Sequence, residues 1–293
     1  MKCADLGCQV WTFEHNQGSW HGEDWPVTVI RPRISMQYNY DPIYDSNSML
    51  DLDLALAVEL QAMLMPAEKL LDAPNYRAVA LNRMCGRVGG DFCEFIRLNN
   101  DQVAIAVGDV TGRGVQASLL MAGIMGLLRR RPAECSRPAA IVRMLNEMLL
   151  DLGDRIGSPM SCSLFYVVLD TPTDTAFFIN DSLPAPVLTD REAGTVVRIG
   201  LPCPMLGVED FEPEECCHTF LPGQRLILCS DGVLNATDPN SMPFGEDRLE
   251  QAIRRYIDAP CKACARALFA VVDRFRRGTR QRDDETVLIV DRL

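Results

Sequence analysis

Gly108-Asp109-Val110-Thr111-Gly112-Arg113-Gly114 is the stretch that decides how this chain folds. The apolar run at 103–107 leads into it and reads as a strand, and another apolar run, from Val115, reads as a helix. Between the two, the glycines turn the chain tightly and leave Asp109 at a strand end, where backbone and ligand can approach closely. Gly112-x-Gly114-x-x-Ala117 also matches the dinucleotide-binding fingerprint. Two features of that motif are absent, however. No acidic residue ends a second strand about 20 residues later, and two helices follow in succession instead.

Three more aspartates occupy comparable settings. Asp91 lies in Val88-Gly-Gly-Asp91-Phe92, Asp231 in Ser230-Asp-Gly232, and Asp283 in Asp283-Asp-Glu-Thr286. Asp91 and Asp231 sit beside glycine next to apolar runs, and Asp283 immediately precedes one. Each segment alone is an ordinary turn, strand end or acidic loop. Together the four carboxylates make an all-oxygen donor set of the kind a hard divalent cation takes. Such a cage is the usual protein half of metal-assisted phosphate chemistry.

Outward from these motifs, strands are predicted at 76–81, 92–98, 161–169, 176–179, 186–189, 196–199, 218–221, 225–229 and 286–291, bounded by turn-forming residues. Helices are predicted at 115–131, 138–152, 246–257 and 261–277. The first of these is apolar on nearly every face and is expected to be buried on most sides. The second is apolar on one side only. Strands joined by short turns, with helices collected in pairs, indicate an α+β fold with antiparallel sheets rather than regular βαβ winding.

The N-terminal part has a different texture. Residues 1–48 hold all three tryptophans and two of the three histidines, and are expected to form a short β-rich extension of unknown role. Cys3, Cys8, His15 and His21 fit no standard zinc-site spacing. Residues 49–66 read as a linker or regulatory helix ended by Pro66. In it, Leu50, Leu54, Ala57, Gln61 and Leu64 recur near a 3.5-residue spacing, which suits either a homodimer seam or a helix packed on its own domain. Residues 67–293 form the main domain.

The 293 residues are 47% hydrophobic and carry a net charge of −11, as in a soluble globular protein with a sizeable core. No basic stripe exists to neutralise phosphates, so neither nucleic acid nor an anionic membrane is expected as a partner. Arg129-Arg130-Arg131 falls at a helix C-terminus, where the dipole accounts for it. No apolar stretch is long enough to span a bilayer and no signal pattern opens the chain, so a cytoplasmic location is expected. The twelve cysteines are scattered, and reduced thiols are expected. Cys261-x-x-Cys264 lacks a partner pair and reads as two ordinary helical cysteines. Cys216-Cys217-His218 reads as part of a strand.

Beyond single motifs, the sequence resembles the metal-dependent serine/threonine phosphatases of the PPM (protein phosphatase 2C-like) type. The resemblance is to their bacterial branch of stage II sporulation protein E and the sigma-regulator phosphatases. It is carried, in order, by Leu60-Gln61…Leu64-Met65-Pro66, Val88-Gly-Gly-Asp91-Phe92, Gly108–Ala122, Pro204-Met-Leu-Gly207, Leu221-Pro-Gly-Gln-Arg-Leu226, Ser230-Asp-Gly-Val233, Phe244–Leu249 and Asp283-Asp-Glu-Thr-Val287. It implies two antiparallel sheets sandwiched between pairs of helices. It also implies two Mn2+ or Mg2+ ions, with Asp109 bridging them and the Val110 carbonyl contributing at one. Asp231 and Asp283 would complete the other shell, with Asp284 the second choice to Asp283, and Asp91 would act directly or through waters.

Asp109 and Asp231 would then be the residues on which catalysis turns, through a metal-activated water. The substrate class implied is a phosphoserine or phosphothreonine of a regulatory protein, such as an anti-sigma-factor antagonist. One segment departs from the family pattern: Asn180-Asp-Ser-Leu-Pro-Ala-Pro186 stands where an Asn-Ala-Gly-His-Pro-Pro-like run is usual, with Leu183 in place of the histidine. That departure leaves an alternative from another class, a catalytically silent regulator that keeps the fold and binds a partner protein.

Overall fold

The computed structural model describes residues 46–130, 137–201 and 203–293. The tryptophan-rich stretch and the Cys3, Cys8, His15 and His21 set lie outside them. In chain order the elements are α1 (Ser46–Leu64), β1 (Glu68–Ala73), β2 (Tyr76–Arg83), β3 (Phe92–Arg97), β4 (Gln102–Val110), α2 (Gly114–Arg130), α3 (Pro138–Ile156), β5 (Cys162–Asp170) and β6 (Thr175–Asp181). They continue with β7 (Val187–Asp190), β8 (Thr195–Arg198), β9 (Cys216–Thr219), β10 (Gln224–Cys229), α4 (Asp231–Leu234), α5 (Gly245–Arg255), α6 (Cys261–Arg276) and β11 (Glu285–Arg292).

The strands make two sheets, one in the order β3-β4-β5-β6-β9 and the other β1-β2-β11-β10-β7-β8. Neighbouring strands are antiparallel throughout. Helices α2 and α3 pack on the first sheet, and α5 and α6 cover the second. Strand β5 lies mid-sheet and is buried along all but its last residue, as a strand with apolar layers on both faces must be. Helix α3 shows how the sequence sets these packings. Proline opens it, Ile141, Val142, Leu145 and Leu149 bury one stripe, and Gly157 closes it at φ 73°. The α+β arrangement of antiparallel sheets between helix pairs matches expectation.

Three details differ from expectation, in α2, β1 and α4, and for α1 the structure bears on the two alternatives left open. Helix α2 buries only one face, through Ala117, Met121, Ile124, Met125 and Leu128, while Val115 and Leu119 stand exposed. In α1, Leu54, Ala57 and Leu64 are half-buried and Gln61 is buried, so most of the 3.5-residue seam turns toward its own domain. The exposed apolar residues there are Leu50, Leu52, Leu56, Leu60 and Met63. Strand β1 and the single-turn helix α4 were not predicted. Among the described residues no helix is long and apolar enough to cross a membrane.

Candidate metal centre and active site

Each motif aspartate is delivered by the end of a strand. Asp91 immediately precedes β3, Asp109 is the penultimate residue of β4, Asp231 begins α4 just after β10, and Asp283 lies two residues before β11. Two of these strands belong to each sheet, so the site forms where the sheets' ends meet. Asp109, Gly112, Arg113 and Asp283 line two adjoining cavities of about 400 and 330 Å3. Val110 and Asp231 line the smaller one.

Asp91 is the deepest of the four, 1% exposed. Thr286 Oγ1 donates to Asp91 Oδ2 at 2.6 Å and in turn accepts from Asn82 Nδ2 at 2.8 Å. Thr286 N–H donates to Ser230 Oγ at 2.9 Å, which ties the Asp231 turn to the same strand. Gly90 has no room for a side chain, because a Cβ there would come to 2.7 Å from the Val110 carbonyl oxygen. At Gly232 the Asp284 carbonyl oxygen comes closer still to where a Cβ would stand. The glycines flanking the aspartates therefore let separate turns close on one point.

Electrostatics records how close the carboxylates are. Burial, followed by the charges of Asp231, Asp283 and Asp284, pushes Asp109 up to about 7. Burial and then the Asp109 charge hold Asp91 well above the usual carboxylate range. Burial raises Asp283 as well, with the Asp231 and Asp284 charges adding to it. Like charges held together in this way are costly unless neutralised, and oxygen donors of this kind suit a divalent cation. The residues present therefore fit Mn2+ or Mg2+. Among the described residues no group of three His, Cys, Asp or Glu side chains is arranged to hold an ion by itself, so water ligands or movement of the loops would be needed.

Asp284 takes a different part from Asp283. Its Oδ1 accepts the Cys85 N–H at 2.7 Å and its Oδ2 the Gly90 N–H at 3.0 Å. Both oxygens are occupied in bracing the loop before Asp91, whereas Asp283 is exposed to both cavities. Gln61 braces the same loop from α1, by exchanging hydrogen bonds with Gly89 at 2.8 and 3.0 Å. The sequence motifs included Gln61 and Thr286 but gave neither a role.

The departing segment forms a wall of the site. Ser182, at φ 54°, and Leu183 line the 330 Å3 cavity with Asp109, Asp231 and Met205. Asp181 does not line it; the residue is fully buried, and neither carboxylate oxygen has a hydrogen-bond partner. Burial pushes Asp181 up to about 8, offset only in part by the Leu206 N–H and Ser182 nearby. The Cys261-x-x-Cys264 pair belongs to the core under α6, where burial pushes Cys261 up to about 12 and raises Cys264 too. Such thiols are poor nucleophiles and poor ligands.

Residues 99–293 match the family model of stage II sporulation protein E (SpoIIE). Protein IcfG of Synechocystis is 26% identical over 270 residues, which cover 82% of this chain and 42% of that protein. The phosphoserine phosphatase RsbU of Bacillus subtilis is 20% identical over 193 residues, covering 64% of this chain and 55% of RsbU. The chain thus spans about half the length of the curated relatives it matches.

Among solved structures, the SiaA PP2C domain of Pseudomonas aeruginosa superposes with a TM-score of 0.67 at 21% identity, covering 84% of this chain and 98% of that one. The PP2C phosphatase domain of SpoIIE from Bacillus subtilis, with a fragment of its regulatory domain, gives 0.64 at 18% identity, covering 75% and 64%. With the family model spanning 99–293 and the two-sheet fold shared with these domains, the chain belongs to the stage II sporulation protein E family and has the PP2C-type phosphatase fold.

Proposed function

We propose that this chain is a metal-dependent protein serine/threonine phosphatase. Its substrate would be a phosphoserine or phosphothreonine of a regulatory partner protein, an anti-sigma-factor antagonist by analogy with its relatives. The observation that carries this is the convergence of Asp109, Asp231 and Asp283, from separate strand ends, on adjoining cavities that Val110 also lines, with Asp91 buried beside them within reach of the Asp109 charge. Those five residues would hold two Mn2+ or Mg2+ ions. When bound, the ions supply an activated water and offset the charge on the phosphoryl oxygens.

The protein's own contribution is arrangement. Thr286 fixes the orientation of the Asp91 carboxylate, Asp284 and Gln61 hold its loop, and Leu183 and Met205 give the smaller cavity an apolar wall. The same reading takes 67–293 as the phosphatase domain, 49–66 as a regulatory helix, 1–48 as an extension, and the cytoplasm as its location. A homodimer through the 49–65 helix would use the exposed apolar residues of α1.

A second reading, a silent regulator that binds a partner protein, draws on one observation. The usual histidine position is Leu183, on the cavity wall. The two are separated by hydrolysis of p-nitrophenyl phosphate with Mn2+, with EDTA, and in Asp109→Asn and Asp231→Asn variants. Metal-dependent turnover lost in both variants is the expected result. Metal binding without turnover of this substrate or of any phosphoprotein supports the regulator.

A further inference from the structure

Several arginines of this protein are held in ion pairs. Arg225 pairs with Asp291 at 2.5 Å, Arg292 with Asp174 at 2.6 Å, and Arg129 with Glu94 at 2.7 Å. Three others gather at one place. Arg113, Arg280 and Arg282 line the 400 Å3 cavity beside Asp109 and Asp283, all three exposed, with no hydrogen bond or ion pair among the described residues. On a chain of net charge −11, three exposed cations gathered at the edge of a carboxylate cage, with Arg113 close enough for its charge to act on Asp283, are a local concentration of positive charge.

Backbone geometry presents them there. Arg113 sits between Gly112 and Gly114, at φ 115° and 69°, on the turn that also delivers Asp109. Arg280 and Arg282 flank Gln281, whose side chain fastens the loop by donating to the Arg83 carbonyl at 2.9 Å and the Asp283 carbonyl at 2.8 Å. Cys85 Sγ donates to the Gln281 carbonyl at 3.3 Å. With Gln281 anchored, its two neighbours are held at the cavity. The wall between them is apolar, made by Leu54, Val88 and Val115.

We propose that this cavity binds the polypeptide flanking the phosphorylated residue, and that Arg113, Arg280 and Arg282 select acidic side chains there. The inference rests on the phosphatase reading and adds a substrate preference to it. A phosphoprotein segment carrying Asp or Glu beside its phosphoserine brings charges that the acidic body of the protein repels and that this collar attracts. An exposed arginine–carboxylate pair contributes only modestly by itself, so two or three together give a preference on the order of tenfold.

The test uses the full chain and phosphoserine peptides of one length, with Asp/Glu, Asn/Gln or Lys flanks. kcat and KM are measured with Mn2+. Affinity is measured separately by fluorescence anisotropy, using matching phosphonate peptides that cannot be hydrolysed. The acidic peptide is expected to exceed the neutral one about tenfold in both kcat/KM and affinity, with the difference in KM and shrinking in high salt. Arg280→Gln/Arg282→Gln should bring that ratio close to one, and Arg280→Lys/Arg282→Lys should keep most of it.

An acidic-to-neutral ratio of one in the wild type, or one unmoved by the glutamine pair, overturns the collar even if turnover is brisk. An acidic preference in binding without turnover of any peptide upholds the collar and overturns the phosphatase reading.

Discussion

Gln61 and Gly89 exchange both of their polar groups: Gln61 Nε2 donates to the Gly89 carbonyl at 2.8 Å, and Gly89 N–H donates to Gln61 Oε1 at 3.0 Å. One side chain of α1 thereby satisfies the backbone of the loop two residues before Asp91, and Gln61 is itself buried. Gln61→Leu leaves a buried N–H and C=O without partners, which costs about 1–3 kcal/mol. The loop also orients Asp91, so the Mn2+ concentration needed for half-maximal activity should rise at least tenfold. Thermal melting and a Mn2+ titration check the two effects. An unchanged Mn2+ requirement in a well-folded variant would separate α1 from the site.

The adjacent carboxylates Asp283 and Asp284 should fail in opposite ways. Asp284→Ala strips partners from the N–H groups of Cys85 and Gly90 and should cost on the order of 3 kcal/mol of stability even in EDTA. Asp283→Ala removes a carboxylate raised by burial among like charges, so melting in EDTA should stay level or rise slightly. The stabilisation gained on adding Mn2+ should then be lost. For an intact site, an ion at a hundred times its Kd adds about 2.7 kcal/mol. Reversal of the two phenotypes would move the ligand role from Asp283 to Asp284.

How much of this was legible in the sequence follows from how local each signal is. Strand β4 and the turn after it could be read because pattern, glycines and aspartate lie within a dozen residues. Strand β1 could not: its burial alternates poorly, and Leu70 on this edge strand is 62% exposed. Helix α2 misled because Val115 and Leu119 are apolar yet exposed beside the site and along its outer face. The aspartates stood out by their flanks. Their supports did not, because Thr286 reaches Asp91 across 195 residues and Asn82 reaches Thr286 across 204. No local pattern encodes a bond of that span.

Asp181 makes stability fall as pH rises. Its folded-state value is pushed up to about 8 by burial without a hydrogen-bond partner, far above that of an exposed aspartate. Between roughly pH 4 and 8 the unfolded chain has released this proton and the folded one has kept it, so each step up in pH favours unfolding. Above about 8 the carboxylate ionises in the fold and the penalty levels off. Asp181→Asn removes the titration. Relative to wild type it should gain on the order of a few kcal/mol at pH 8 and little at pH 4.5. Parallel urea midpoints for the two proteins across that range would remove Asp181 as the cause.

Arg225 is fully buried in β10 and is satisfied on every side: Asp291 at 2.5 and 2.9 Å, and the carbonyls of Ile257 and Ala259 at 3.2 and 2.8 Å. The pair joins β10 and β11 to the turn between α5 and α6, at the opposite end of those strands from Asp231 and Asp283. Arg225→Met leaves the Asp291 carboxylate buried with only Arg191, at 3.3 Å, and should cost about 3–5 kcal/mol. Removing both charges is a different matter, because the cost of a broken pair is mostly the abandoned ion. Arg225→Met/Asp291→Leu should therefore recover most of the loss, read as the midpoint of urea unfolding. If the double variant is as unstable as Arg225→Met, it is the bonds to Ile257 and Ala259, rather than the ion pair, that hold the α5–α6 turn to the sheet.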